Sequence, residues 1–438
     1  MILFWLTIIY FPSLLFGKYI FERWFNPVFI YSSSWAFIIF MYNLELIRYT
    51  RVSFLTWLVI VLAYFAFITG VLIFKLGKNL EENNSVKEKK SNRYFTEKWW
   101  NEREKVLKRI IVITAIIGLL VSLQHWYVLI KKFGSITMVF LNANDIYQQR
   151  VSGEHFGQIP YLNLLSYVSV FFSAIYSAYK NKFTVLVLLP LLAVILTDAA
   201  SLARAGVFFA LMIFGITFIT ARYFFKKALD SPKYSNNRNI IITSILVVLL
   251  AFAGVSVIRM IRNPMGDFIS TSIELKKLSN NGIISSSLYL YFSSPVVVLS
   301  QYLDERNEKA IFGENTFYPV YNNLKKLGGN FNLRAYPKGY FIPMWVNSAT
   351  YIRDLDADFG TLGVFIVPFI IGFISTFYWF KYFATGRLIN LAFYSFTTVL
   401  IVFSVFYIGT RLTFWFWGFL FSLLTAFIFE HVNLKRSY

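Results

Sequence analysis

The stretch Y-I-R-D-L-D-A-D-F-G-T-L-G-V-F, Tyr351 to Phe365, sets Arg353, Asp354, Asp356 and Asp358 against an apolar run that continues to Phe380. A helix needs ~20 apolar residues to cross a hydrocarbon core of ~30 Å, and this run supplies that length. Working outward, comparable runs fall at about 1–17, 27–44, 54–74, 110–130, 160–179, 183–200, 205–225, 240–258, 359–380, 388–408 and 412–430, which predicts eleven spans. The composition agrees: 57% of the 438 residues are hydrophobic, 20% aromatic and only 15% charged, outside the range of soluble domains. The expected fold is an all-α polytopic membrane protein. Met1 to Gly17 has no basic residues before it and no small-residue cleavage pattern after it, so it reads as a retained first span.

The net charge of +20 lies mostly in short loops, which argues for membrane topology and against a basic nucleic-acid-binding face. Lys75 to Arg109 carries eleven Lys/Arg against six Glu, and E-E-N-N-S-V-K-E-K-K at its centre has no apolar periodicity. Read as a solvated cytoplasmic loop, it fixes every other loop. Cytoplasmic segments then hold 24 of the 42 basic residues, and the short outer loops hold seven. The rule places the N-terminus outside and the C-terminus in the cytoplasm. Three regions follow: 1–258, with eight spans, the cytoplasmic loop 75–109 and an outer loop 131–158; 259–358, a large outer loop; and 359–438, three spans and a tail. The large loop mixes L-Y-L-Y-F and F-Y-P-V-Y with turn formers, so it is expected to fold over the outer face, against membrane lipids.

Chemistry is sought where charge gathers at the outer boundary. Arg150, Arg204, Arg259, Arg262, Arg334, Arg353 and Arg411 stand at outer span ends, against the orientation rule. Guanidinium stays charged and binds phosphate oxygens in bidentate geometry, so such a cluster suits a lipid diphosphate. The plainer alternative is that each arginine reaches lipid phosphate or pairs with a neighbouring carboxylate. Arg204, Arg259, Arg262, Arg353 and Arg411 are the chosen diphosphate contacts, and Arg204 and Arg411 lie in the tightest hairpins.

Asp354 and Asp358 would share one helical face, with Asp356 elsewhere. Aspartates near a helix start also cap amides and oppose the macrodipole, at ~0.3–1 kcal/mol each. D-L-D and D-A-D match a metal-holding D-x-D, yet no nucleotide-sugar is expected outside; D-F-G lacks the other kinase motifs. Asp198, Asp358 and His155 are the candidate general bases. His125, inside a span, reads as an interior histidine. With no cysteine and only three scattered histidines, no metal site is expected.

Several segments resemble the O-antigen polymerase (Wzy) family. They are F-N-P-V-F-I-Y-S-S-S-W (Phe25 to Trp35), S-L-A-R-A-G, Y-F-S-S-P-V-V-V-L-S-Q-Y (Tyr291 to Tyr302), F-G-E-N-T-F-Y-P-V-Y-N-N-L (Phe312 to Leu324), N-S-A-T-Y (Asn347 to Tyr351) and D-F-G-T-L-G-V-F with I-I-G-F. The resemblance implies a metal-independent membrane glycosyltransferase of the GT-C-like kind, without cofactor, in the bacterial plasma membrane. Its substrate would be an undecaprenyl-diphosphate-linked oligosaccharide, polymerised into O-antigen, capsule or a similar surface polysaccharide. A flippase and a chain-length regulator of the same pathway are the implied protein partners. An O-antigen ligase-like enzyme and a non-enzymatic flippase are the alternatives; the absence of histidine from Arg259 to Asp358 favours polymerase over ligase.

Overall fold

A computed structural model describes residues 2–84, 93–143, 145–146, 159–201, 205–229, 234, 238, 241–242, 245, 286–306, 308, 310–334, 336–342 and 344–432. The helices are α1 (Ile2–Phe21), α2 (Pro27–Asn43), α3 (Phe54–Asn84), α4 (Glu97–Phe133), α5 (Ile136–Leu141), α6 (Leu165–Lys180), α7 (Leu188–Ser201), α8 (Ala205–Leu229), α9 (Ser286–Ser293), α10 (Pro295–Glu305), α11 (Tyr318–Lys326), α12 (Tyr351–Thr385), α13 (Leu388–Phe403) and α14 (Thr413–His431). Among the described residues the only sheet is a hairpin, β1 (Tyr340–Phe341) paired antiparallel with β2 (Trp345–Val346).

Six of these helices are long and apolar enough to cross a membrane: Phe54–Gly77, Glu97–Phe133, Leu162–Lys180, Ala205–Leu229, Tyr351–Thr385 and Thr413–His431. The chain is an all-α, multi-pass membrane protein. Some helices are shorter than the apolar runs that contain them, because hydropathy counts side chains and not helical hydrogen bonds. α7 has 14 residues, α13 16 and α2 17, so at 1.5 Å per residue the shortest reaches only ~21 Å. The run 240–258 lies almost wholly outside the described residues. The polar segment 75–109 is helical at both ends, since α3 runs on to Asn84 and α4 starts at Glu97. Its glutamates and lysines are good helix formers, which lets both helices continue into polar sequence.

The chain divides into two compact units. The first comprises 1–86, 265–377 and 400–412. Asn26 starts α2 by accepting from the Phe29 amide at 2.9 Å, with Pro27 at the first helical position. One face of α2 is then bound through polar groups: the Tyr31 and Tyr351 hydroxyls lie 2.7 Å apart, and the Trp35 indole N–H donates to Ser404 Oγ at 3.2 Å. α9 and α10 close against the α2–α3 turn. The Leu46 amide donates to the Tyr289 hydroxyl at 3.1 Å and the Ser53 amide to Ser300 Oγ at 3.0 Å.

Within this unit α3 and α12 cross backbone to backbone. A Cβ on Gly70 would press into the Phe369 carbonyl oxygen, and one on Gly372 into that of Phe67. Small residues at such a crossing let membrane helices approach closely, where association rests on packing and not on a hydrophobic force. Gly372→Val is expected to force the pair apart at ~1–3 kcal/mol or more. Heating the detergent-solubilised variant and following its monodisperse fraction checks this, and a wild-type midpoint would refute the close crossing.

The second unit comprises 87–264, 378–399 and 413–438. α4 holds α7 and α6 through buried hydroxyls. Ser122 Oγ meets Thr197 Oγ1 at 2.5 Å and donates to the Ala193 carbonyl at 3.0 Å, while Ser169 Oγ donates to the Ile111 carbonyl at 2.7 Å. Lys108 and Lys180 flank Glu104 at 2.8 and 2.6 Å, and Glu430 pairs with Arg387 at 3.0 Å.

Candidate functional site

The opening stretch is helical from Tyr351, whose amide donates to the Ser404 carbonyl at 2.8 Å. Tyr351, Ile352 and Leu355 are buried, which seats this short helix in the first unit. It ends at Gly360, whose φ of 65° and ψ of −164° split α12 into 351–359 and 361–385. Its three aspartates then reach three different segments. Asp354 accepts from the Ile408 amide at 2.8 Å. Asp356 accepts from the Tyr302 hydroxyl at 3.0 Å, with Arg306 at 3.9 Å. Asp358 accepts four hydrogen bonds: from the Asn315 amide and Nδ2 at 2.9 and 2.8 Å, and from the Thr316 amide and Oγ1 at 2.7 and 2.8 Å.

Asp354 stands in the first helical turn, as expected, but the hydrogen bonds of Asp354 and Asp356 go to other segments. Their carboxylates join α12 to the 408 turn and to α10. Asp354 and Asp358 share a buried face, 2% and 5% exposed, as their spacing requires. Burial also raises the Tyr302 hydroxyl well above its ordinary range, and the neighbouring Asp356 charge pushes it the same way. It stays a donor at every physiological pH.

Arg411 closes the arrangement from the far side. It lies in the 3₁₀ turn Gly409–Arg411, largely buried, and donates from Nη1 to Asn315 Oδ1 and from Nη2 to the Arg334 carbonyl. Its guanidinium carbon also stands 4.8 Å from the centre of the Tyr318 ring. Asn315 is thus the middle of a relay, donating to Asp358 and accepting from Arg411. Burial raises the Tyr318 hydroxyl while Arg411 pulls the other way, so this ring too stays neutral.

Arg353 is more deeply placed. Only 2% exposed, it stands 3.7 Å from Asp354 and donates to the Lys338 carbonyl at 3.3 Å. Two of the expected diphosphate contacts, Arg353 and Arg411, therefore fall in one unit with Asp358, each directed at protein acceptors.

The exposed group beside them is Arg334, recognised in the sequence as an outer arginine but not selected. Its backbone amide donates to Glu314 Oε1 at 2.9 Å, and the second oxygen of Glu314 accepts from the Ile311 amide at 3.1 Å. Arg334, Arg411, Asn315, Glu314, Glu308 and Pro337 line a small polar cleft. Asn315 and Glu314 stand in the quoted run F-G-E-N-T-F-Y-P-V-Y, where their polarity just before the proline of α11 was the available signal.

Asp198 belongs to the second unit. It is 5% exposed and accepts from the Val207 amide at 2.7 Å, in the first turn of α8. Gly206 is required there, because a Cβ would lie against that carboxylate and the Tyr167 hydroxyl. His125 is interior, 4% exposed, and its Nδ1 has no hydrogen-bond partner among the described residues. His155, Arg204, Arg259 and Arg262 lie outside the described residues, as does Arg150. Among the described residues no group of three or more His, Asp or Glu is placed to hold a metal ion.

No protein-family model, curated protein or solved structure matches the chain.

Proposed function

We propose that the chain polymerises undecaprenyl-diphosphate-linked oligosaccharide repeat units at the outer face of the bacterial plasma membrane. In this reading it has about eleven spans, an outside N-terminus, a cytoplasmic C-terminus and a large outer loop that carries the cleft. The observation that supports it is the relay Asp358–Asn315–Arg411, which builds a rigid floor under the exposed Arg334. Fixed cations at a membrane boundary favour the charge that develops on a departing diphosphate, and they need no reorganisation as it forms. The sugar is transferred from the lipid diphosphate to a hydroxyl of the next unit. Arg204, Arg259 and Arg262 remain proposed diphosphate contacts, and Asp198 and His155 proposed alternatives for the base.

Asp358 suits this scheme as an anchor. Both its oxygens already hold two donors, so accepting a substrate proton would disrupt the loop it fixes.

Deleting the gene in the source bacterium tests the reading. Gel analysis of the surface polysaccharide is expected to show single repeat units attached, without a ladder. Loss of the single unit as well would count for a flippase, and an unchanged ladder would remove both readings.

A further inference from the structure

The cleft holds two carboxylates and two guanidiniums, and their contacts sort them. Arg411 is committed to Asn315, to the Arg334 carbonyl and to the Tyr318 ring. Both oxygens of Glu314 accept backbone amides, from Ile311 and Arg334. Glu308 differs, because one oxygen accepts from the Tyr340 hydroxyl at 2.9 Å while the other has no hydrogen bond from a described residue. The Arg334 guanidinium likewise bonds no described side chain, and it is exposed. Tyr340 is held in its donor form, since burial and then Glu308 push its hydroxyl up. The free oxygen of Glu308 is thereby the cleft's available acceptor.

We infer that Glu308 and Arg334 are the substrate-facing pair of this cleft: Glu308 accepts the proton of the attacking hydroxyl, and Arg334 holds a phosphate oxygen of the donor. Arg353 and Arg411 are positioning residues. The inference rests on the polymerase reading. The acceptor oxygen forms its bond to the anomeric carbon as that carbon's bond to the diphosphate oxygen breaks. The electron pair leaves with the lipid diphosphate, and the hydroxyl proton passes to the Glu308 carboxylate. The cleft is shallow and small: even with the open space at its mouth it amounts to about 260 Å³, and its interior takes only a water-sized group. The phosphate and the reacting hydroxyl would therefore meet Arg334 and Glu308 at its mouth, with the oligosaccharides outside.

The test uses the full chain in detergent, with lipid-linked repeat units extracted from the deletion strain as the donor and inorganic diphosphate as the competitor. Glu308→Gln keeps an acceptor for Tyr340 and is expected to lower kcat ~10²–10⁴-fold with KM and diphosphate inhibition within about threefold of wild type. Glu308→Asp should recover part of the rate. Arg334→Ala is expected to weaken diphosphate inhibition and raise KM by ~10-fold or more, the scale of one lost charge-assisted contact. Wild-type kcat in Glu308→Gln, or unchanged inhibition in Arg334→Ala, would overturn the pair while polymerisation by wild-type protein stands. If wild-type protein builds no polymer from these units, the polymerase reading fails with it.

Discussion

Asp358→Ala is expected to unfold the loop around Asn315 and to lower the stability of the first unit by ~3–5 kcal/mol, the cost of stranding buried donors. Four donors meet this one carboxylate, and two are backbone amides that cannot turn elsewhere. Asp358→Asn should be milder, since one carbonyl oxygen survives, although its new N–H₂ faces donors. The check is the thermal midpoint of the solubilised variants, ordered wild type, Asn, Ala. Equal midpoints would mean that the loop does not depend on this residue.

Arg411→Ala is expected to abolish the polysaccharide ladder and to cost ~2–4 kcal/mol, because Asn315 and the Arg334 carbonyl lose their charged donor together. Arg411→Lys should not rescue it, since an ammonium cannot span both acceptors in the planar fork of guanidinium. Asp358 and Arg411 act through the same asparagine, so Asp358→Ala combined with Arg411→Ala should cost clearly less than the two single losses added. Additive costs would mean that Asn315 does not couple them. A full ladder from Arg411→Ala would sever the turn from polymerisation.

Much of the fold was legible because hydropathy and charge are local properties. The long apolar runs became the long apolar helices, and Gly360 marked where polar sequence gives way to a span. At 183–200 and 388–408 the helices are shorter than the apolar runs, because an apolar residue in a turn counts like one in a helix. The spacing of Asp354 and Asp358 correctly placed both on one face. Their partners could not be read, since Ile408 lies 54 positions from Asp354 and Asn315 43 from Asp358. No periodic signal encodes such a pairing.

The same limit explains the arginines. Arg353 and Arg411 stood out because charge at an apolar boundary is conspicuous, and conspicuousness cannot separate a guanidinium aimed at a ligand from one aimed at a carbonyl. Arg334 was recognised as an outer arginine but not selected, and Glu308, in ordinary polar sequence, was passed over. What distinguishes them is which oxygens and nitrogens have no partner among the described residues.

One consequence of Gly360 concerns stereochemistry. A methyl group there would meet nothing within 4 Å, so size does not restrict the position. The backbone does: at φ 65° and ψ −164° an L-residue is strained, whereas the mirror image of that conformation is ordinary polyproline-like backbone. The joint between the carboxylate helix and the span beyond it therefore selects by handedness. Among the genetically encoded residues, glycine, the achiral one, meets the requirement.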